Sequence, residues 1–86
     1  MTPEQKQAIQ NYCDDLAAHD QWSYGITCAW ITNHVNYDKP ATLVNAPHRF
    51  IIECTLDDDR EIRLGRSETG WTIEWGIPFT PVTFTA

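Results

Sequence analysis

Between Arg49 and Ile77 the apolar residues fall on alternate positions in three successive runs. Phe50, Ile52, Cys54 and Leu56 form the first, Ile62 and Leu64 the second, and Trp71, Ile73, Trp75 and Ile77 the third. Alternation has the period of a β-strand, whose side chains point to opposite faces in turn. Three such runs in a row require an antiparallel sheet with one face covered and one face wet. The intervals carry turn chemistry: Asp57-Asp58-Asp59 reads as a loop, and Ser67-Glu68-Thr69-Gly70 as a turn with Gly70 at a left-handed position. The strands are therefore expected at 49–56, 61–66 and 71–77. Face matching fixes their register, because a slip of one residue turns every apolar side chain to the wrong side. It pairs Cys54 with Ile62, Ile52 with Leu64, Leu64 with Ile73 and Ile62 with Trp75. The opposite face then aligns Glu53, Arg63 and Glu74 as a solvent-facing carboxylate–guanidinium–carboxylate row.

The remaining elements are assigned around this meander. Residues 2–20 read as a helix. Thr2 is a cap, Pro3 suits the first helical position, Gln5 closes a capping box, and Ala8, Ile9, Tyr12, Cys13, Leu16 and Ala17 make an apolar stripe. From 22 to 30 large residues (Trp22, Tyr24, Ile26, Cys28, Trp30) alternate with small ones, which reads as a strand, with Gly25 suited to a bulge. Residues 33–40 are turn-rich, 41–44 suit a short strand, and Asn45-Ala46-Pro47 breaks it. Pro78 and Pro81 confine 79–85 to an edge strand or tail. The expected fold class is α+β: one domain, 1–86, with an N-terminal helix packed on a four- to five-stranded, mostly antiparallel sheet (meander 49–77). This element order resembles the cystatin layout of a helix across a wrapped sheet. The resemblance stops at element order, since no cystatin motif is present, and it implies no function.

Charge narrows the class of partner. Twelve acids against six Lys and Arg give the 86 residues a net charge of −6. Direct nucleic-acid binding and binding to anionic membranes both need a basic footprint, so neither is expected. No apolar run reaches the roughly 18 residues of a membrane span. The start, Met1 to Lys6, lacks the basic-then-apolar pattern of a secretory leader. Three cysteines, Cys13, Cys28 and Cys54, make an odd number with no C-x-x-C pair, so a reduced, cytoplasmic protein with buried thiols is expected.

Cys13 with His19, Cys28 with His34, and His48 with Cys54 share a six-residue offset, which separates the two side chains in either a helix or a strand, so no local metal pair forms. Asp57, Asp59, Glu61 and Glu68 fall on EF-hand positions, but Ile62 stands where the loop needs Gly, and strands flank it. No nucleophile elbow, catalytic Cys signature or phosphate-binding glycine loop is present. No catalytic residue, metal or cofactor is therefore assigned, and an enzyme is not expected. Two features remain as partner-binding candidates. The acidic loop Asp57, Asp58 and Asp59 with Glu61 suits docking onto a basic protein surface, its simpler reading being a solvated hairpin tip. The aromatic face of Trp22, Tyr24 and Trp30 suits a binding platform, its simpler reading being core; Trp71 and Trp75 read as core.

The expected function is a small acidic non-enzymatic protein-binding module, an inhibitor or adaptor of the kind phages and mobile elements carry, acting on a basic protein surface. One alternative is a small-ligand or enzymatic domain using His34, His48 and a thiol. Another is a homodimer or larger structural assembly pairing through residues 79–85.

Overall fold

The computed structural model describes residues 1–76 and 80–85, with the backbone alone at 21–23 and 80–85. Two helices, α1 (Pro3–His19) and α2 (Gln21–His34), precede five strands, β1 (Thr42–Ala46), β2 (Arg49–Thr55), β3 (Glu61–Ser67), β4 (Gly70–Trp75) and β5 (Thr80–Thr85). The strands form one antiparallel sheet in the order β1-β2-β3-β4-β5. The α+β class, the N-terminal helix and the meander are as expected.

The register follows the alternation. Ile52 faces Leu64 and Leu64 faces Ile73, while Cys54 faces Ile62 and Ile62 faces Trp75. Leu43 of β1 extends the central row by pairing with Ile52. On the opposite face Arg63 donates from Nε to Glu53 at 2.9 Å and from a terminal nitrogen to Glu74 at 3.1 Å. Each of these part-exposed pairs contributes a few tenths to about 1 kcal/mol. Inside the hydrogen bond from the Leu56 amide to the Arg60 carbonyl, the β2–β3 loop holds three residues, 57–59, with Asp59 in the left-handed region at φ 66°. Asp tolerates that conformation, and a turn followed by a left-handed residue is a standard three-residue hairpin. The β3–β4 turn is tighter than expected, since Ser67 pairs directly with Gly70. β1 runs on through Asn45 and Ala46, so its break comes at Pro47.

α1 begins as read. The Thr2 hydroxyl accepts from the Gln5 amide and the Gln5 side chain accepts from the Thr2 amide. Its buried residues, Ile9, Tyr12, Cys13 and Leu16, form one stripe over the sheet.

The segment 22–30 is not a strand. It belongs to α2, which follows α1 after the single residue Asp20. The large-small alternation ends at Trp30, but the pattern that matters continues past it. Cys28, Ile31 and Val35 are buried and Tyr24 packs half-buried against the core, at spacings of four, three and four. That is a helical stripe. No proline stands between Pro3 and Pro40 to interrupt it. Tertiary geometry favours it too: five strands make a sheet about 20 Å wide, and one helix covers about 10 Å. A single helix leaves half of the inward face wet. The pair of helices replaces the single helix of the cystatin-like expectation.

The core lies between the helix pair and the inward face: Ile9, Leu16, Ile31, Ile52, Leu56, Ile62, Leu64 and Ile73 are its most deeply buried members. Trp71 is buried with them and Trp75 packs half-buried at the margin. Cys13, Cys28 and Cys54 are free thiols within this core.

The outward face carries a close approach. Gly65 pairs with Ile51 and Thr72, and a methyl group at Gly65 would lie 2.5 Å from the Thr72 hydroxyl oxygen. Gly65→Ala is therefore expected to cost about 1 kcal/mol or more through overpacking. The cost should shrink when Thr72→Ala is added. A urea-unfolding double-mutant cycle with additive effects would contradict this close contact.

Candidate functional site

α2 carries no Asp, Glu, Lys or Arg from Gln21 to its last residue, His34. A surface helix ordinarily turns charged and polar residues to water. Among its described side chains α2 is covered on one side only, and its open side carries no charge. Ile26 is 81% exposed, Trp30 is 36% exposed, and Ala29 and Asn33 beside them are exposed. A residue as apolar as isoleucine gains roughly 1.5–3 kcal/mol on full burial, and here that gain is not taken.

The C-terminal end of α2 is tied to the acidic loop by backbone. The Asp57 amide donates to the His34 carbonyl at 2.8 Å, the Asn36 amide donates to the Thr55 carbonyl at 2.8 Å, and Val35 bridges to Leu56. These contacts bring Trp30 to the loop. Its ring lies 4.4 Å from that of His34, and it meets Trp75 edge-on at 5.4 Å. Trp30, His34, Leu56, Asp57, Asp58 and Arg60 border a depression of about 60 Å3. Pockets for small molecules usually span about 300–1,000 Å3, so this notch suits one side chain rather than a substrate.

Its charges are partly answered from within. Asp58 accepts from the Arg60 guanidinium at 2.6 Å, Asp59 pairs with Lys39, and Asp57 lies 3.8 Å from His34. Slight desolvation opposes ionisation of Asp58, but the Arg60 amide and guanidinium outweigh it and hold the carboxyl below its ordinary value. Four carboxylates, counting Glu61, stand against the two full cations Lys39 and Arg60. The surface remains acidic, but it is preorganised and less negative than the sequence Asp57-Asp58-Asp59 implies.

The expected site residues thus divide. Asp57, Asp58, Glu61 and Trp30 lie on the loop or beside it, and Asp59 is at the tip with Lys39. Tyr24 does not join them. Six residues of helix turn through about 600°, which sends Tyr24 and Trp30 to different sides, whereas a strand would have set them together. Tyr24 instead stacks on His19 at 6.0 Å, and His19 meets the Trp71 ring at a tilt, 4.7 Å away. The side chain of Trp22 lies outside the described residues. Ile26 and His34 were missed as site members because the strand reading counted Ile26 among the large residues of one face and His34 only as a metal or ligand candidate. Their signal was a fourteen-residue helix without charge.

Among the described residues no three His, Cys, Asp or Glu side chains come together as metal ligands. Nor is any described helix long and apolar enough to cross a membrane. The thiols lie away from the loop, inside the core. Burial pushes Cys54 up from 9.0 to about 12 and raises Tyr12 as well. A hydrogen bond with Cys28, followed by burial, raises Cys13.

These shifts set an alkaline limit. The Cys54 thiol ionises near 9.0 in the unfolded chain and near 12 in the folded one. The unfolded state therefore releases its proton first, and stability falls as pH rises across that window. The urea midpoint should drop between neutral pH and about pH 10, and Cys54→Ala should drop less over the same interval. A midpoint flat to that pH in the parent chain would contradict the assignment.

Compared with protein-family models, with curated proteins and with solved structures, the chain matches none.

Proposed function

We propose that this chain is a non-catalytic protein-binding module, an inhibitor or adaptor, that docks through the outer face of α2 and the adjoining acidic loop onto a partner with a basic rim. The observation that carries this reading is the exposed, uncharged helix face: Ile26 stands in solvent and Trp30 keeps about a third of its surface open, on a helix with no charged residue before His34. An apolar centre bordered by charge is the usual anatomy of a protein interface, with aromatic anchors at its middle and polar groups at its edge. Trp30 serves as the anchor, held between His34 and Trp75. Asp57, Asp58 and Glu61 supply the rim, where they speed and orient encounter more than they add affinity. Direct nucleic-acid and membrane binding stay outside the proposal, given a charge of −6.

A catalytic reading of the acidic loop finds less support, since the notch beside His34 holds about 60 Å3. The homodimer expected through residues 79–85 is weighed by the backbone of β5, which pairs with β4 over Thr80–Thr85 and leaves its other side as a sheet edge; residue 79 lies outside the described residues.

The test is capture and identification of a partner with the parent chain and three variants. Ile26→Asp should abolish capture while the fold is kept, because the side chain is already in water. Asp57→Asn combined with Asp58→Asn should slow association severalfold, and the effect should vanish at high salt. Glu4→Gln, on the exposed start of α1, should change nothing. A partner that binds Ile26→Asp as well as the parent would overturn the proposal, and a sedimentation mass of twice 9.9 kDa that Ile26→Asp halves would assign the face to a second copy instead.

A further inference from the structure

At the end of the sheet opposite the Asp57–Asp59 loop, the inward face breaks its own pattern. Its other rows are apolar across β1 to β4, but the last row reads Asn45, Phe50, Arg66 and Trp71 over the same strands. Two polar residues therefore occupy positions that face the helix side. Departures from the binary pattern in an otherwise consistent fold tend to fall at functional sites.

Two cavities open there. One, of about 330 Å3, lies between the Pro47–His48 and Glu68–Thr69 turns and is bordered by Arg49 and His48. The other, of about 380 Å3, lies between α1 and β1, with Asn11 and Tyr12 on its helical side. Asn45, Phe50 and Arg66 border both, which makes them lobes of one groove. Each lobe reaches the size of an ordinary small-molecule site.

The walls select for a ligand. Phe50 is half-buried, backed by the Tyr12 ring at 6.1 Å, and offers an aromatic surface. Arg66 is fixed in place: its guanidinium lies 3.9 Å over the Trp71 ring, with Nε 3.6 Å from Asp15, and it donates to the Ser67 carbonyl. The two acids at the groove are engaged already, Glu68 by His48 at 2.9 Å and Asp15 by Arg66 and the Trp71 indole. Arg49, an exposed residue on the wet-face parity of β2, lines the first lobe at its rim and has no ion-pair partner among the described residues. In a chain of charge −6, this groove sets two of the four arginines and a histidine beside only two acids, Asp15 and Glu68.

We propose that this groove binds a small aromatic anion, with its ring against Phe50 and its anionic group within reach of Arg49 and Arg66. The site is independent of the α2 face, which adjoins the opposite end of β2 and β3. It revives His48 as a ligand-site residue, beside an arginine rather than a thiol.

The test is an amide-resolved NMR titration of the full chain with three probes: naphthalene-1-carboxylate, its carboxamide, and acetate. The carboxylate should give saturable shifts centred on residues 45–50 and 66–68. The carboxamide, with the ring but no charge, should bind about tenfold or more weakly, as expected for losing a charge-assisted hydrogen bond. Acetate, with the charge but no ring, should not saturate. Arg49→Gln should weaken the carboxylate by a similar factor. Asn45→Leu, which fills the junction of the two lobes, should abolish its binding while the spectrum keeps its dispersion. Absence of saturation, equal affinity for acid and amide, undiminished binding by either variant, or shifts centred on Ile26 and Trp30 would overturn the proposal.

Discussion

The row Leu43–Ile52–Leu64–Ile73 is the part of this molecule on which the rest depends. It runs across four strands on the inward face, and Ile52, Leu64 and Ile73 are almost fully buried. Burying each is worth roughly 1.5–3 kcal/mol, against a total stability of about 5–15 kcal/mol for a domain. A slip of one residue would turn a strand's whole apolar set to the wet face. The same pairing sends Glu53, Arg63 and Glu74 to the wet face as one ion-paired row, so the covered face and the open face are consequences of a single choice.

That row also imposes the helices. A sheet this wide with one apolar face needs two helices to cover it, and both must be apolar toward the strands. α1 meets the demand in an orthodox way, with Ile9, Tyr12, Cys13 and Leu16 inward and Gln, Asn and Asp outward. α2 does not, since its outward side is as uncharged as its inward side. The core explains Cys28, Ile31 and Val35. It does not explain Ile26 or Trp30, and the docking surface proposed for this chain accounts for that surplus.

How much of this was legible in the chain depends on where the deciding contacts lie. The meander was readable because its signals are local: alternation sets the faces, the three-residue loop and Gly70 set the turns, and the two together set the register. The start of α1 was readable from Thr2, Pro3 and Gln5. The segment 22–30 misled because its aromatic and β-branched residues favour strands and its alternation was accidental. The stripe that identifies it, Tyr24, Cys28, Ile31 and Val35, crosses the boundary drawn at Trp30. The acidic loop was placed correctly, but not its pairing with Lys39 and His34, which lie 20 or more residues away in the chain and arrive through the α2 to β2 junction. The groove at Asn45 and Arg66 was invisible because only the observed register shows that both stand in the inward row.

The central claim is that residues 21–34 form a helix buried on one side and bare on the other. Methyl-resolved NMR with a soluble paramagnetic agent tests it most directly, by comparing Ile26 with Ile31, five residues apart on the same element. The structure predicts helical carbon shifts through the segment, strong broadening of the Ile26 methyl signals and none at Ile31, which has no exposed surface. Equal protection of both residues, or extended-chain shifts with cross-strand contacts to the meander, would contradict it.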